Sequence, residues 1–384
     1  MEINVQGYVA PGFEKVKEAF KANWEAYEVG ASYALVHNEQ LVVDIWGGYL
    51  NIEGTKLWKK ETLVNVYSTT KGMGALAVAI LADEGLLDYN ERVVKYWPEF
   101  GVEGKQEVTV AQLLSHQAGV CGVSEKITVK DLYDWGKMVH LLAVQKPHWK
   151  PGTASGYHAV MWGFLAGELI RRIIGKTLGT YFNEKVVKPL KADFYIGLPD
   201  SEMDRVGDMI GPNRGRVPQK KIDNPPKMPP LYSISLLNPD IRPYKDASSY
   251  PWRKAEIAAA NGQANARGIA RIYGALANGG EIDGIRIISK KGIETAIQEE
   301  ISGIDLVTGR FMRFARGFSL NSEGSYGPND HSFGHAGAGG SVGFADPDAN
   351  IGVGYTMNQM QINPDDESRS GRLIQATYDC LSFK

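Results

Sequence analysis

The chain reads as an α/β protein in which both ends build one antiparallel sheet, flanked by terminal helices, around an inserted, mainly helical domain. Two stretches carry the sheet. "GASYALVHNEQLVVDIWGGYLN" alternates as two strands about a polar turn at His37 to Gln40, and "GGSVGFADPDANIGVGYTMNQ" repeats the pattern about "DPDAN". A helix stands beside each hairpin, whereas the middle of the chain has helical periodicity. The predicted organisation is an α/β sandwich from residues 1–95 and 265–384, with a helical domain at 96–264 that includes a long proline-rich segment.

Each element follows from its residues. "GFEKVKEAFKANWEAY" places apolar side chains on one helical face. "TLVNVY" is β-branched and aromatic, hence extended, and Leu76, Ala79 and Ile80 beyond it fall at helical spacing. "TVAQLLSHQAG", "AVMWGFLAGELIRRIIG" and "LGTYFNEKVVKPL" are helical in pattern, whereas "NPPKMPPLYSISLLNPDIRPYKDASSYPW" reads as a long loop, a lid or a wrapped surface segment. "SRSGRLIQATYDCLSF" closes the chain as a helix.

Composition excludes several classes of function. A formal charge of −2 shows no basic excess, so nucleic acid is not expected as a partner. No window approaches the roughly 18 apolar residues of a membrane helix, and the first residues lack a signal-peptide pattern. With two cysteines the chain has no disulfide framework, and the expected location is cytoplasmic. The seven histidines are scattered without metal-ligand spacing, so neither metal nor cofactor is expected. The oligomeric state stays open, a homo-oligomer being compatible.

The stretch "VYSTTKGMGALA" sets Ser68 and Lys71 three residues apart at a helix start, on one face of the first turn. The ordinary alternative is an N-capping serine and a solvated lysine. Against it, a lysine sits poorly at the positive end of a helix dipole, and its neighbours are small and apolar. A desolvated lysine loses its proton readily and can then activate a serine. Gly72 and Gly74 each weaken the helix, a cost that is reasonable if other groups approach its backbone. Two more elements stand out: Tyr157, after the turn at Pro151-Gly152, and "FGHAGAGGSVGFADP", with five glycines from Gly334 to Gly343 ahead of a strand.

In order and spacing these three elements resemble the serine β-lactamase and penicillin-binding superfamily. With "TLVNVYSTTKGMGALAVAILADEGLLDYNERVVKYWPEF", "TVAQLLSHQAGV", "GYHAVMWGFLAGELIRR" and "ANGQANARGIARIYGALANGG", the chain is most similar to the family VIII carboxylesterases over nearly all its length. The resemblance implies a β-lactamase-like fold with the site between its two domains. It implies Ser68 as nucleophile, Lys71 as its base, and Tyr157 as a partner in that role that then protonates the leaving alkoxide, with a phenol pKa depressed by the ammonium. It also implies an oxyanion hole from the backbone N–H groups of Ser68 and Ala338, a substrate contact at Gly337 and a small-molecule ester as substrate, with His335 divided between substrate contact and loop support. The same residues would serve a β-lactamase or an acyltransferase, and a penicillin-sensing module is the alternative from another class.

Two departures bear on the substrate. The superfamily's Lys-Thr-Gly is His335-Ala336-Gly337 here, and its Tyr-x-Asn is Tyr157-His158-Ala159. The first removes a cation for a substrate carboxylate, which a histidine would restore only as pH falls toward 6. Gly339-Gly340-Ser341-Val342-Gly343 imitates the G-x-S-x-G elbow of α/β-hydrolases, but no histidine follows Ser341 and the motif leads into a strand. His116 is expected to be a structural hydrogen-bonding residue at a helix end, and Trp162 and Phe164 to be core. Tyr232, Tyr244, Tyr250 and Trp252 are divided between acyl-pocket lining and surface packing.

Overall fold

A computed structural model describes residues 3–25, 28–212, 227–361 and 368–381. Its main feature is a nine-stranded, wholly antiparallel sheet. From one edge to the other the strands are Gln6–Val9, Gln40–Gly48, Gly30–His37, Ile351–Met357, Val342–Asp346, Phe333–Ala336, Ser319–Leu320, Phe311–Ala315 and Glu299–Ile304. The first three come from the N-terminal end and the other six from the C-terminal end, joined where Tyr33 pairs with Tyr355. Asn38 and Glu39 both have positive φ, as the tight turn of the first hairpin requires.

Alternation along the strands decides what covers each face. Tyr33 points to one side, where its hydroxyl meets Thr377 Oγ1 (2.6 Å) on the Arg369–Leu381 helix. Ser32 points to the other and accepts from the Ala266 N–H (3.3 Å) at the start of the Ala266–Ala277 helix. The N-terminal helix is shorter than its periodicity suggested, Glu14–Ala22, and buries Phe13, Val16 and Phe20.

Between the two halves of the sheet come helices at Thr69–Asp83, Val110–Leu114, Trp135–Val144, Met161–Ile174 and Leu178–Phe182. The Val110–Leu114 helix has a capping box from Thr109 and Gln112, and Gly175 ends the Met161–Ile174 helix in the left-handed conformation. The proline-rich segment differs from the expected structureless loop. Its first three residues lie outside the described residues, but it forms short helices at Tyr232–Leu236 and Tyr250–Lys254, the second with a proline in its first turn. Trp252 is core and donates to Asn65 Oδ1 (2.9 Å), while Tyr244 and Tyr250 are exposed. Trp162 and Phe164 are fully buried, as expected. No helix among the described residues is long and apolar enough to cross a membrane.

The C-terminal helix is fastened by a buried ion pair. Arg369 Nη1 lies 2.6 Å from Glu28 Oε1, with side-chain exposures of 2% and 0%, and Tyr355 donates to the same carboxylate. Removing one partner strands the other charge in a dry interior. Arg369→Met is therefore expected to lower the unfolding free energy by about 3–5 kcal/mol, read by urea denaturation. Loss of the exposed Lys95–Glu91 pair (3.6 Å) is expected to cost under ~0.5 kcal/mol, and comparable losses would exclude a special role for the buried pair.

Candidate active site

The segment before the Thr69–Asp83 helix is short and extended, with only Val64–Asn65 paired as strand, and it ends at Tyr67, whose φ is +46°. A bulky residue rarely adopts that conformation. Here it is held by Thr70 Oγ1, which donates to Tyr67 O (2.5 Å), and by the Tyr67 hydroxyl, which donates to Pro243 O. Ser68 occupies the N-cap position, yet its φ and ψ are already helical and its side chain caps nothing. Its hydroxyl is thereby left for other work.

Lys71 is fully buried, which overturns the alternative of a solvated first-turn lysine. Nζ lies 3.0 Å from Ser68 Oγ, 2.7 Å from Ala159 O and 3.0 Å from Ala259 O. Desolvation holds its pKa well below the ordinary lysine value. Two carbonyls match the two N–H bonds of a neutral amine, whose lone pair then remains for the Ser68 hydroxyl. Gly72 and Gly74 allow the packing behind this turn: a Cβ at Gly72 would lie 1.9 Å from the Tyr273 hydroxyl, and one at Gly74 would lie 2.7 Å from the Trp162 ring.

Tyr157 is brought to the same place. Its side chain hydrogen-bonds Ser68, and Lys71 Nζ stands 4.7 Å from its ring centroid. The expected depression of its phenol is corrected: burial raises the pKa above the usual value, and the bond to Ser68 only partly offsets this. The lysine that was to depress the phenol is itself disfavoured as an ammonium. Tyr157 is therefore a protonated phenol, suited to giving a proton rather than starting as a base.

The third element packs against the first. A Cβ at Gly337 would lie 2.2 Å from Val66 O and 2.3 Å from Ser341 Oγ, so glycine lets the turn after the Phe333–Ala336 strand lie directly against the residues before Ser68. Ala338 is exposed in that turn. Neither its N–H nor that of Ser68 donates to another group among the described residues. Ser341 is 1% exposed; its hydroxyl donates to Val66 O (2.8 Å) and lies 3.1 Å from Thr69 Oγ1. It is a buttress of the turn, and the G-x-S-x-G likeness ends there.

His335 is buried beside this constellation, its ring centroid 6.0 Å from that of Tyr157. Nδ1 lies 2.7 Å from Ala336 O and so carries the proton, while Nε2 has no partner among the described residues. Burial, with Lys71 nearby, lowers its pKa to about 3. The protonation anticipated near pH 6 is corrected accordingly: the position stays neutral there. His116 has the structural role expected of it, accepting from the His158 N–H (3.0 Å) at Nδ1 and so fixing the turn that carries Tyr157.

Several groups at the site had no signal in the sequence. The carbonyls of Ala159 and Ala259 are backbone groups of residues whose side chains carry no chemistry. Ser235 lies in a segment without a motif, yet its hydroxyl donates to Tyr157 O (2.6 Å) and accepts from the Ala159 N–H (3.2 Å).

Comparison with known proteins identifies the family. A family model described as Beta-lactamase matches residues 16–378. The chain is 34% identical over 365 residues to the "Esterase/beta-lactamase LipL" of Mycobacterium tuberculosis, covering 93% of this chain and 83% of that protein. Among solved structures it is similar to a family VIII carboxylesterase, with 50% identity, a TM-score of 0.92 and coverage of 98% of this chain and 100% of the other. A penicillin-binding protein homologue from Caulobacter crescentus gives 38% identity and a TM-score of 0.90, again over 98% and 100% of the two chains. With its serine, buried lysine and tyrosine converging beside a glycine-rich turn, and with this family match over most of its length, the chain belongs to the β-lactamase family of the serine β-lactamase and penicillin-binding superfamily.

Proposed function

We propose that this protein hydrolyses neutral, short-chain carboxylic esters through an acyl group carried on Ser68. The observation that carries the reading is the fully buried Lys71 amine, placed between two carbonyls and 3.0 Å from the Ser68 hydroxyl. The esterase named among its relatives and the carboxylesterase at 50% identity support the choice of substrate class.

The chemistry follows from the groups in place. Neutral Lys71 takes the Ser68 proton as Oγ bonds to the ester carbon, and the carbonyl oxygen becomes an oxyanion. The N–H groups of Ser68 and Ala338 hold that charge, the first of them at the positive end of the Thr69–Asp83 helix. When the tetrahedral adduct collapses, the ester C–O bond breaks and the leaving alkoxide takes a proton from the Tyr157 hydroxyl, which Lys71 replenishes. Water then attacks the acyl group by the same path in reverse, releasing the acid and restoring Ser68. Gly337 keeps the Ala338 turn close enough to Ser68 for the two N–H groups to converge. His335 offers a substrate a neutral acceptor and no cation. No cofactor takes part, and the workplace we assign is the cytoplasm.

The test is a panel of nitrophenyl esters of rising acyl length beside a chromogenic cephalosporin. Neutral short-chain esters are expected to show much the higher kcat/KM, because an anion entering a partly dehydrated cleft meets no partner at His335. The ratio of the two values is expected to stay flat from pH 6 to 8, since His335 does not titrate there. An enzyme that prefers the cephalosporin would sink the assignment.

A further inference from the structure

The proline-rich segment crosses the site as a strap, and its one buried hydroxyl lies where it can act on the reaction. Ser235 is 1% exposed, in the turn of helix Tyr232–Leu236. Asn238 secures the segment on the helical domain by donating to Val123 O (2.9 Å) and Glu125 O (2.8 Å) and accepting from the Ile127 N–H (3.1 Å). Further along, Pro243 O accepts from the Tyr67 hydroxyl, on the residue before Ser68. Just ahead of both anchors in the chain, Ser235 Oγ closes the turn Tyr157-His158-Ala159 by donating at one end and accepting at the other. The carbonyl of the same Ala159 is the shorter of the two carbonyl contacts of Lys71, at 2.7 Å against 3.0 Å for Ala259.

We propose that Ser235 is a positioning residue for acyl transfer, fixing at once the Tyr157 phenol and the Ala159 carbonyl that aims the Lys71 amine at Ser68. This rests on the reading of Lys71 as the base of Ser68. Removing the hydroxyl leaves the Ala159 N–H without its acceptor and frees the turn, so that both proton-handling groups lose their aim while the substrate cleft keeps its shape. A displacement of an ångström or less is sufficient for a large loss in rate. The loss falls on kcat rather than KM, because Ser235 touches neither the oxyanion site nor His335.

The pH profile separates positioning from mere support. The titratable groups facing Lys71 are Tyr157, His116, His158 and His335; burial raises the pKa of the first and lowers those of the histidines, so all four are uncharged near neutrality. The acidic limb of kcat/KM therefore reports Lys71. An ammonium gains more from the Ala159 carbonyl than a neutral amine does, so slackening that contact makes the proton easier to lose and moves the limb to lower pH. Ser235→Ala is expected to lower kcat by about ten- to a hundredfold, with KM within about threefold and the limb displaced downward. Ser235→Thr retains the hydroxyl and is expected to restore kcat to within about threefold of wild type. Folded Ser235→Ala with wild-type kcat, or with reduced kcat and a limb superimposed on wild type, overturns the proposal. If Ser68→Ala is inactive in the same assay while Ser235→Ala behaves as wild type, only the role of Ser235 fails. Full activity in Ser68→Ala would remove the underlying reading instead.

Discussion

Ser68→Ala is expected to abolish ester turnover, on the order of 10⁴-fold or more in kcat, while Ser341→Ala stays within about tenfold of wild type. Both serines sit in motifs that mark a nucleophile in one enzyme family or another, and their surroundings separate them. Ser68 is partly exposed, forms no capping bond, and has the Lys71 amine 3.0 Å from its oxygen. Ser341 is enclosed, and its proton is committed to Val66 O at 2.8 Å. A carbonyl cannot take that proton away, so nothing near Ser341 makes it a nucleophile. Its loss removes one buried hydrogen bond, a stability cost of about 1 kcal/mol, and slightly loosens the turn bearing Ala338. Nitrophenyl acetate hydrolysis by the two purified, folded variants decides the matter. An active Ser68→Ala beside an inactive Ser341→Ala would reverse the assignment.

Four adjoining strands of the nine, those of the two hairpins, were legible because they alternate clearly and are sharply punctuated, whereas the shorter strands toward the edges were not. The Asn38-Glu39 turn and the Asp346–Asn350 turn each sit between alternating runs, and register follows once one face is buried. The pairing of the two chain ends was legible from their similarity. The Ser68–Lys71 pair was legible because helical geometry is local, so three residues of spacing fix a shared face. What escaped was long-range. That Tyr157 reaches Ser68 depends on packing between parts of the chain far apart in sequence, which only the family resemblance anticipated, and that Gly337 lies against Val66 was not anticipated.

The direction of the tyrosine's pKa shift went wrong for a related reason. Spacing shows which charges are neighbours but not how much water remains, and at this site desolvation raises the phenol's pKa more than the bond to Ser68 lowers it, while the same burial disfavours the charge on Lys71. The two short helices of the proline-rich segment and its anchors escaped because prolines break local patterns without preventing short helices, and because the anchoring groups, Asn238, Pro243 and Ser235, pair mostly with backbone. A carbonyl is present at every residue. Nothing in the sequence distinguishes the carbonyls of Ala159 and Ala259 from the rest.

Lys71→Met is expected to reduce kcat on the order of 10³-fold and to leave a pH-dependent mark on stability that identifies the protonation state of the lysine. Tyr157→Phe is expected to cost a comparable factor, and the double variant little more than either alone, because the two groups serve one proton path. Loss of rate alone does not show whether Lys71 works as a neutral amine or as a fixed cation, but linkage does. Burial sets its folded pKa well below the unfolded value of about 10.4. Between those two values the unfolded chain binds a proton that the folded chain does not. Stability then rises with pH through that window, and the advantage of wild type over Lys71→Met grows by about 1.4 kcal/mol per pH unit. Below the folded pKa both states are protonated, the slope vanishes, and catalysis fails with it because the base is occupied. Urea denaturation of the two proteins at pH 7, 8 and 9 measures the slope directly. A difference that does not change over that range means that Lys71 is an ammonium in the folded protein, and Ser68 would then have to be deprotonated by another group.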